Sequence, residues 1–296
     1  MSASDAPEAR YGEVYDRGYG HYEGMRRGRA HGIWALARWS MARALGLKKG
    51  WGSKVIPALL YIGALLPVIV VIGETAFVPQ ADVLDYAGYF ATIFLLEGIF
   101  VATIAPEMMC PDRREGVLSL YFSRPLSRPD YVVVKLLAAA ILTLSISLLP
   151  AVILWLGLQL LADAPLAAMR DNVGDLGRIL VAGSSIALYL GAIGLVISSF
   201  TRRKGVAVGV IVLGFLISES LTQALSFALR GQEPWNEWVQ FLSPTLTASG
   251  LVIGLWEVAD DDVFGVATPL WTIVAVMVGV VAVCCAVMFG RYAGRD

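Results

Sequence analysis

Long apolar runs separated by short polar stretches dominate this chain. Six of them, at about 55–77, 86–109, 131–162, 178–200, 206–229 and 268–290, are long enough to cross a bilayer as helices. A hydrocarbon core of roughly 30 Å needs about 20 helical residues. The third run exceeds that need, so it is expected to start below the membrane surface, with Lys135 snorkelling to water and Pro150 a point for a kink. Only Thr201-Arg-Arg-Lys-Gly205 separates the fourth run from the fifth, which forces those two helices antiparallel.

Three shorter patterns flank the spans. Residues 1–30 are rich in Gly, Arg and Tyr and predict an adaptable tail. Over residues 31–50, Ile33, Leu36, Ala37, Met41, Ala44 and Leu47 recur at helical steps, while Arg38, Arg43, Lys48 and Lys49 take other positions. With Trp34 and Trp39 supplying ring surface suited to headgroups, this predicts an amphipathic helix lying in the membrane interface. A soluble core-packing helix is the plainer alternative, and the adjoining span weighs against it. Before the last span, residues 234–256 form two apolar pieces, one containing Trp235 and Trp238, both too short and too broken by Pro and Gly to cross. They predict a re-entrant or interfacial element on the outer side, its free backbone groups facing protein or water.

Composition agrees with the pattern. With 57% hydrophobic and 16% charged residues and a mean hydropathy of +0.68, the chain reads as an all-α, polytopic membrane protein rather than a soluble enzyme. The net charge of −1 decides nothing, but its distribution does. With the N-terminus inside, residues 1–54 hold ten Lys/Arg, residues 107–135 five, the turn at 202–204 three and the C-terminal tail at 291–296 two, leaving Arg170, Arg178 and Arg230 outside. That asymmetry predicts both termini on the cytoplasmic side of the cell membrane. The first fifty residues lack an early apolar core, so no signal peptide is expected. Cys110, Cys284 and Cys285 are expected to be reduced, and His21 and His31 lack the neighbours of a metal site.

Chemistry-bearing motifs are sparse. The chain contains no Gly-x-x-x-x-Gly-Lys-Ser/Thr, no His-Glu-x-x-His and no nucleophile elbow, so neither ATP hydrolysis nor another catalytic activity is assigned to it. No cofactor, metal or nucleic acid is expected on it. Two carboxylates, Glu97 and Glu219, fall inside spans. Facing lipid they would cost several kcal/mol, so each is expected to face the bundle interior, protonated or hydrogen-bonded to serines such as Ser184, Ser185, Ser218 or Ser220. They could line a substrate path, form a gating contact or simply join helices.

The densest polar stretch is the island from Cys110 to Tyr131 between the second and third spans. Pro111, Pro125 and Pro129 rule out one unbroken helix across it. Between the first two, Asp112–Phe122 predicts a short helix with Val117, Leu118 and Tyr121 on one side and Asp112 at its N-terminal dipole. The island is either a charged connector or an element on which a soluble partner acts.

This region resembles the loop after the second span in permease subunits of type-2 ABC transporters. There an E-R-x-x-G-T-L stretch precedes S-R-P-L-S-R-x-x-Y-x-x-x-K. Here Ala105-Pro-Glu107 and Asp112-Arg-Arg-Glu-Gly-Val-Leu118 lead into Ser123-Arg-Pro-Leu-Ser-Arg-Pro-Asp-Tyr131 and Lys135. The first half departs, with Glu115 beside Gly116 and Val117 in place of Thr, and the second half matches closely. Tyr22-Glu-Gly-Met-Arg-Arg-Gly-Arg29 resembles the tail of some bacterial members.

The resemblance implies a permease domain over residues 55–290 of an ABC exporter, with ATP and Mg on a separate ATP-binding subunit and a second permease copy, identical or not. Coupling to that subunit would run through the loop at 110–131, using Asp112, Arg113, Arg114, Glu115, Gly116, Arg124 and Arg128, and through the interfacial helix with Trp34, Arg38, Trp39 and Arg43. The re-entrant element with Trp235 and Trp238 would act as an outer gate, and Glu97 and Glu219 would belong to the path. An intramembrane enzyme using Glu97 or Glu219 should carry a denser polar set within its spans, and an anchor or sensor should carry a sizeable domain outside the membrane.

Overall fold

A computed structural model describes residues 28–77, 85–122, 126–232, 235–257 and 268–293. Among them there are helices and no strands. The first, α1 (Arg29–Ala44), buries Leu36, Ser40 and Ala44 along one stripe and leaves Trp34 and Trp39 outside. The periodicity extended this helix to residue 50, but it ends six residues earlier. Gly46 stops it: its φ is +70°, and Leu47 N–H reaches back to the Ala42 carbonyl at 2.9 Å. That is a left-handed helix terminus, which glycine adopts without a Cβ penalty. A side chain there would also strike the Ser53 carbonyl, 2.5 Å from the Cβ position.

Six helices among the described residues are long and apolar enough to span a membrane: α2 (Gly52–Phe77), α3 (Tyr86–Arg114), α5 (Arg128–Leu161), α7 (Val173–Ser199), α8 (Lys204–Ala228) and α11 (Leu270–Ala293). Each begins or ends within a few residues of its expected position. Capping explains several boundaries. Asp85 accepts from Gly88 N–H at the start of α3, and Ser127 and Asp130 form a reciprocal capping box at the start of α5.

The centre of the bundle is α3 and α7, with α5 against both. Lipid tails are as apolar as leucine, so close backbone approach and interlocking side chains must hold these helices together. Small residues of α7 provide that approach. A Cβ on Gly191 would sit 3.6 Å from the Ala140 nitrogen of α5. One on Gly194 would lie 2.4 Å from the Val101 methyl and 3.1 Å from Ala105 Cβ on α3.

Among the described residues four short helices lie between spans, two of them before the last one. The island between α3 and α5 differs from its expected form. α3 runs through Pro106 and Pro111 to Arg114, so Asp112 sits in its last turn and not at the start of a loop helix. Both prolines and their neighbours are buried, and surrounding helices compensate for lost backbone bonds. The break comes at Gly116, φ +68°, before the single turn α4 (Leu118–Phe122). α6 (Pro165–Asp171) lies between α5 and α7, in a stretch that the apolar pattern left outside the spans. Asn172, just after it, accepts from Trp155 Nε1 at 3.1 Å and donates to Gln159 Oε1 at 3.0 Å.

Residues 234–256 contain α9 (Trp235–Gln240) and α10 (Pro244–Trp256). α10 is apolar but only 13 residues, about 20 Å, so it cannot cross the hydrocarbon layer. It packs against α3, α7, α8 and α11, burying Thr247, Ala248, Gly250, Leu251 and Val252. Its start is capped by the Ser243 hydroxyl, and it stops at Glu257 in a left-handed conformation, φ 54°. Asp260-Asp261-Asp262 and the tails at 1–27 and 294–296 lie outside the described residues.

Candidate functional site

The last turn of α3 is where charge concentrates. Asp112 and Lys135 are 2% exposed and paired at 2.7 Å. Tyr131 donates to the same Asp112 oxygen at 3.0 Å, and Arg43 of α1 reaches the other at 3.4 Å. Lys135 also donates to the Met108 carbonyl at 2.7 Å. Lys135 therefore does not snorkel to water. It lies under the island, because Asp112 at the end of α3 offers a partner inside.

A second cluster centres on Glu107, 6% exposed. Lys49 donates to both its oxygens, at 2.8 and 2.6 Å, and Lys204 at the start of α8 pairs with one of them. Arg113 donates to the Ser199 carbonyl at the end of α7, which also accepts from Arg291 of α11 at 2.9 Å. Arg43 bridges onward to Glu115 at 2.9 Å. The last two turns of α3 thus tie together α1, α5 and the α7–α8 turn, and Ser199 joins α11 to them.

Burial gives these contacts weight. A buried pair that loses one partner leaves an uncompensated charge, whereas an exposed pair is worth little. The Arg29–Asp130 pair at 2.6 Å is of the exposed kind and fixes where α1 meets the start of α5 rather than adding stability.

Of the residues expected to meet a soluble partner, Asp112 and Arg113 are committed within the chain. Arg114 projects with its side chain 74% exposed, and Glu115 is half-exposed beside Gly116 in the turn. Arg128 stacks over Phe122, 5.8 Å from the ring centre. Arg124 lies outside the described residues. On α1, Trp34, Arg38 and Trp39 are exposed, with Lys48 placed 5.6 Å from the Trp39 ring.

Between α1 and α4 lies a groove of about 490 Å³, lined by Trp39, Arg43, Lys48, Lys49, Glu115, Val117 and Tyr121. Burial, and secondarily the Asp112 charge, push the Tyr121 phenol above its ordinary range, so it stays neutral in this wall. The expected apolar side of the loop helix survives here as Val117 and Tyr121.

The intramembrane carboxylates part company. Glu97 is fully buried beside Ser147 of α5, and neither carboxyl oxygen makes a hydrogen bond of normal geometry. Glu219 is half-buried and accepts from Thr245 of α10 at 3.0 Å. Two of the serines expected as partners bond within their own helices instead, Ser184 to Leu180 and Ser218 to Phe215. Serine and threonine hydroxyls in helices readily take the carbonyl one turn back, which leaves them unavailable. Glu219 lines a cavity of about 650 Å³ between α3, α8 and α10, and Glu97 does not. Trp235 and Trp238, expected at a gate, are 65% and 54% exposed and lie outside that cavity's lining.

Sequence reading missed Thr245 and the pairing role of Lys49 and Lys204. Their signal was present only as polar residues near helix ends, and partners 26 to 97 positions away cannot be read from spacing.

Membrane-length helices gathered round a charged hub define a polytopic helical membrane protein. Residues 34–296 match the ABC-2 family transporter proteins, and the chain belongs to that family. It is a component of a membrane transporter. A search of curated proteins found no match.

Proposed function

We propose that this chain is the permease subunit of an ATP-driven exporter in the cell membrane, working with a separate ATP-binding subunit and a second permease copy. The observation that carries the reading is the groove between α1 and α4 standing directly on the charged hub. A partner seated in the groove touches Trp39, Lys48, Val117 and Tyr121, and its movement passes through Arg43 to Asp112 and Lys135. The hub links the ends of α5, α7, α8 and α11, so the spans shift as bodies rather than residue by residue. ATP and Mg belong to the partner. The segment α9–α10 acts as the re-entrant closure at the outer end.

Arg114→Glu combined with Val117→Asp should reduce co-purification of the ATP-binding subunit at least about ten-fold, a loss of about 1.4 kcal/mol. Insertion should be unchanged, because neither side chain is fully buried. Wild-type recovery of the subunit together with wild-type export would remove the groove from the mechanism.

Orientation is tested separately. In a background without the native cysteines, cysteines at Arg114 and Glu257 should react with an impermeant thiol reagent from the cytoplasmic and outer sides respectively. Reaction of both from one side would contradict the topology.

A further inference from the structure

We propose that the cavity between α3, α8 and α10 binds an amphiphile with an ammonium head group, and that such compounds are what this protein carries. The inference rests on the permease reading and adds the substrate class.

The cavity holds about 650 Å³, within the range that accommodates a drug-sized ligand. Its walls are mostly hydrocarbon, among them Phe94, Leu95, Val212 and Leu216. Phe215 forms the back by packing onto Gly98, where an added Cβ would come within 2.9 Å of the ring. Leu95 and Leu216 are 60% and 47% exposed in the single chain, so the cavity is open sideways. An occupant can therefore leave an alkyl tail outside the cavity, against Leu95 and Leu216, while its head lies inside.

The head-group chemistry follows from Glu219. No Lys, Arg or His is among the cavity's lining residues, so its carboxylate meets no cation there. Thr245 donates to Oε2, and the Thr245 hydroxyl is held at 2.8 Å by Ser243, which caps the start of α10. Among the described residues Oε1 has no donor. The carboxylate is thus aimed by the first turn of α10, whose dipole favours negative charge there. Ser220 and Gln223 add hydrogen-bonding groups nearby.

An ammonium head satisfies the vacant oxygen and the charge together. An anionic head would be repelled, and a neutral hydroxyl could fill the vacant oxygen with one hydrogen bond but would leave the charge unopposed. A bare divalent cation is a poor occupant, because it wants six or more oxygen ligands and the walls are apolar.

The test uses the full chain in nanodiscs and three photoactivatable twelve-carbon probes with a mid-chain diazirine, ending in an amine, a carboxylate or a hydroxyl. The amine probe should label peptides containing Leu95 and Leu216 about ten-fold more strongly than the other two, the ratio expected from one weakly screened charge pair. Glu219→Gln should abolish that preference, and Glu219→Asp, which keeps the charge, should retain it. Equal labelling by the three probes, or an undiminished preference in Glu219→Gln, would overturn the proposal.

Should Glu219→Gln not reach the membrane, competition on the wild-type protein decides. Dodecylammonium must displace the amine probe where dodecanol and dodecanoate do not, and unselective displacement counts against the site. Binding of the ATP-binding subunit is read on the same preparations. Loss of head-group preference with that subunit still bound would sink the substrate class and leave the permease reading standing.

Discussion

Lys135→Met is expected to remove most of the folded protein from the membrane. The ammonium it deletes is 2% exposed and lies 2.7 Å from Asp112, which is equally enclosed. Breaking a buried pair from one side costs about 3–5 kcal/mol, because the remaining charge keeps its desolvation penalty without its partner. Arg43 cannot substitute fully, since its nearer contact is with Glu115 and it reaches Asp112 only at 3.4 Å. The reciprocal change Asp112→Ala should be as damaging, leaving Lys135 with the Met108 carbonyl and the Tyr131 ring and Arg43 with Glu115. Combining Asp112→Leu with Lys135→Met should recover part of the yield, because paired apolar replacements avoid the orphaned charge. Yield and thermal stability in mild detergent read the effect. Equal loss in the double variant and either single one would mean that the pair is not the source of stability.

Gly194→Leu should be nearly as severe, for a different reason. The Cβ position lies 2.4 Å from Val101 Cγ1 and 3.1 Å from Ala105 Cβ, at the closest approach of α7 to α3. Both neighbours are fully buried, so neither has space to move. Overpacking typically costs about 1–3 kcal/mol, and a leucine here would force the two central helices apart. Gly194→Ala should be milder but still harmful, and Val101→Ala should partly rescue it by removing the clashing methyl. An unfolding midpoint unchanged in Gly194→Leu would show that α3 and α7 are not packed at that point.

Much of this fold was readable from the chain, because a membrane span announces itself by length and apolarity. The long helices and α10 needed no tertiary information. The island was harder. Pro111 argued for a break, yet α3 passes through it, since enclosure by neighbouring helices outweighs one missing backbone bond. Gly116 was the better signal: the turn needs a positive φ, which glycine alone adopts cheaply. Likewise Gly46, and not the last apolar residue, ends α1.

The site was less readable than the fold. Asp112 and Arg113 looked like surface charges because charge runs usually are, but each meets a partner brought from another helix. Among the described residues of the loop, Arg114, Glu115 and the flank of α4 remain open to a second protein. Glu97 and Glu219 were equivalent on hydropathy alone. Position relative to α10 separates them, giving Glu219 a hydroxyl partner and a cavity and leaving Glu97 enclosed beside α5. Glu97→Leu should therefore be tolerated for folding, since replacing an unpaired buried polar group by an apolar one of similar size is close to neutral. Comparable membrane yields of wild type and variant would bear this out, and loss of the variant would point to a partner for Glu97.

The groove between α1 and α4 is the point on which the transport account turns, and site-specific photocrosslinking tests it. A benzoylphenylalanine at Val117, in cells that also make the ATP-binding subunit, should crosslink to that subunit, and the yield should change when its ATP hydrolysis is blocked. Crosslinks confined to lipid or to this chain, with the subunit still co-purifying, would contradict the account.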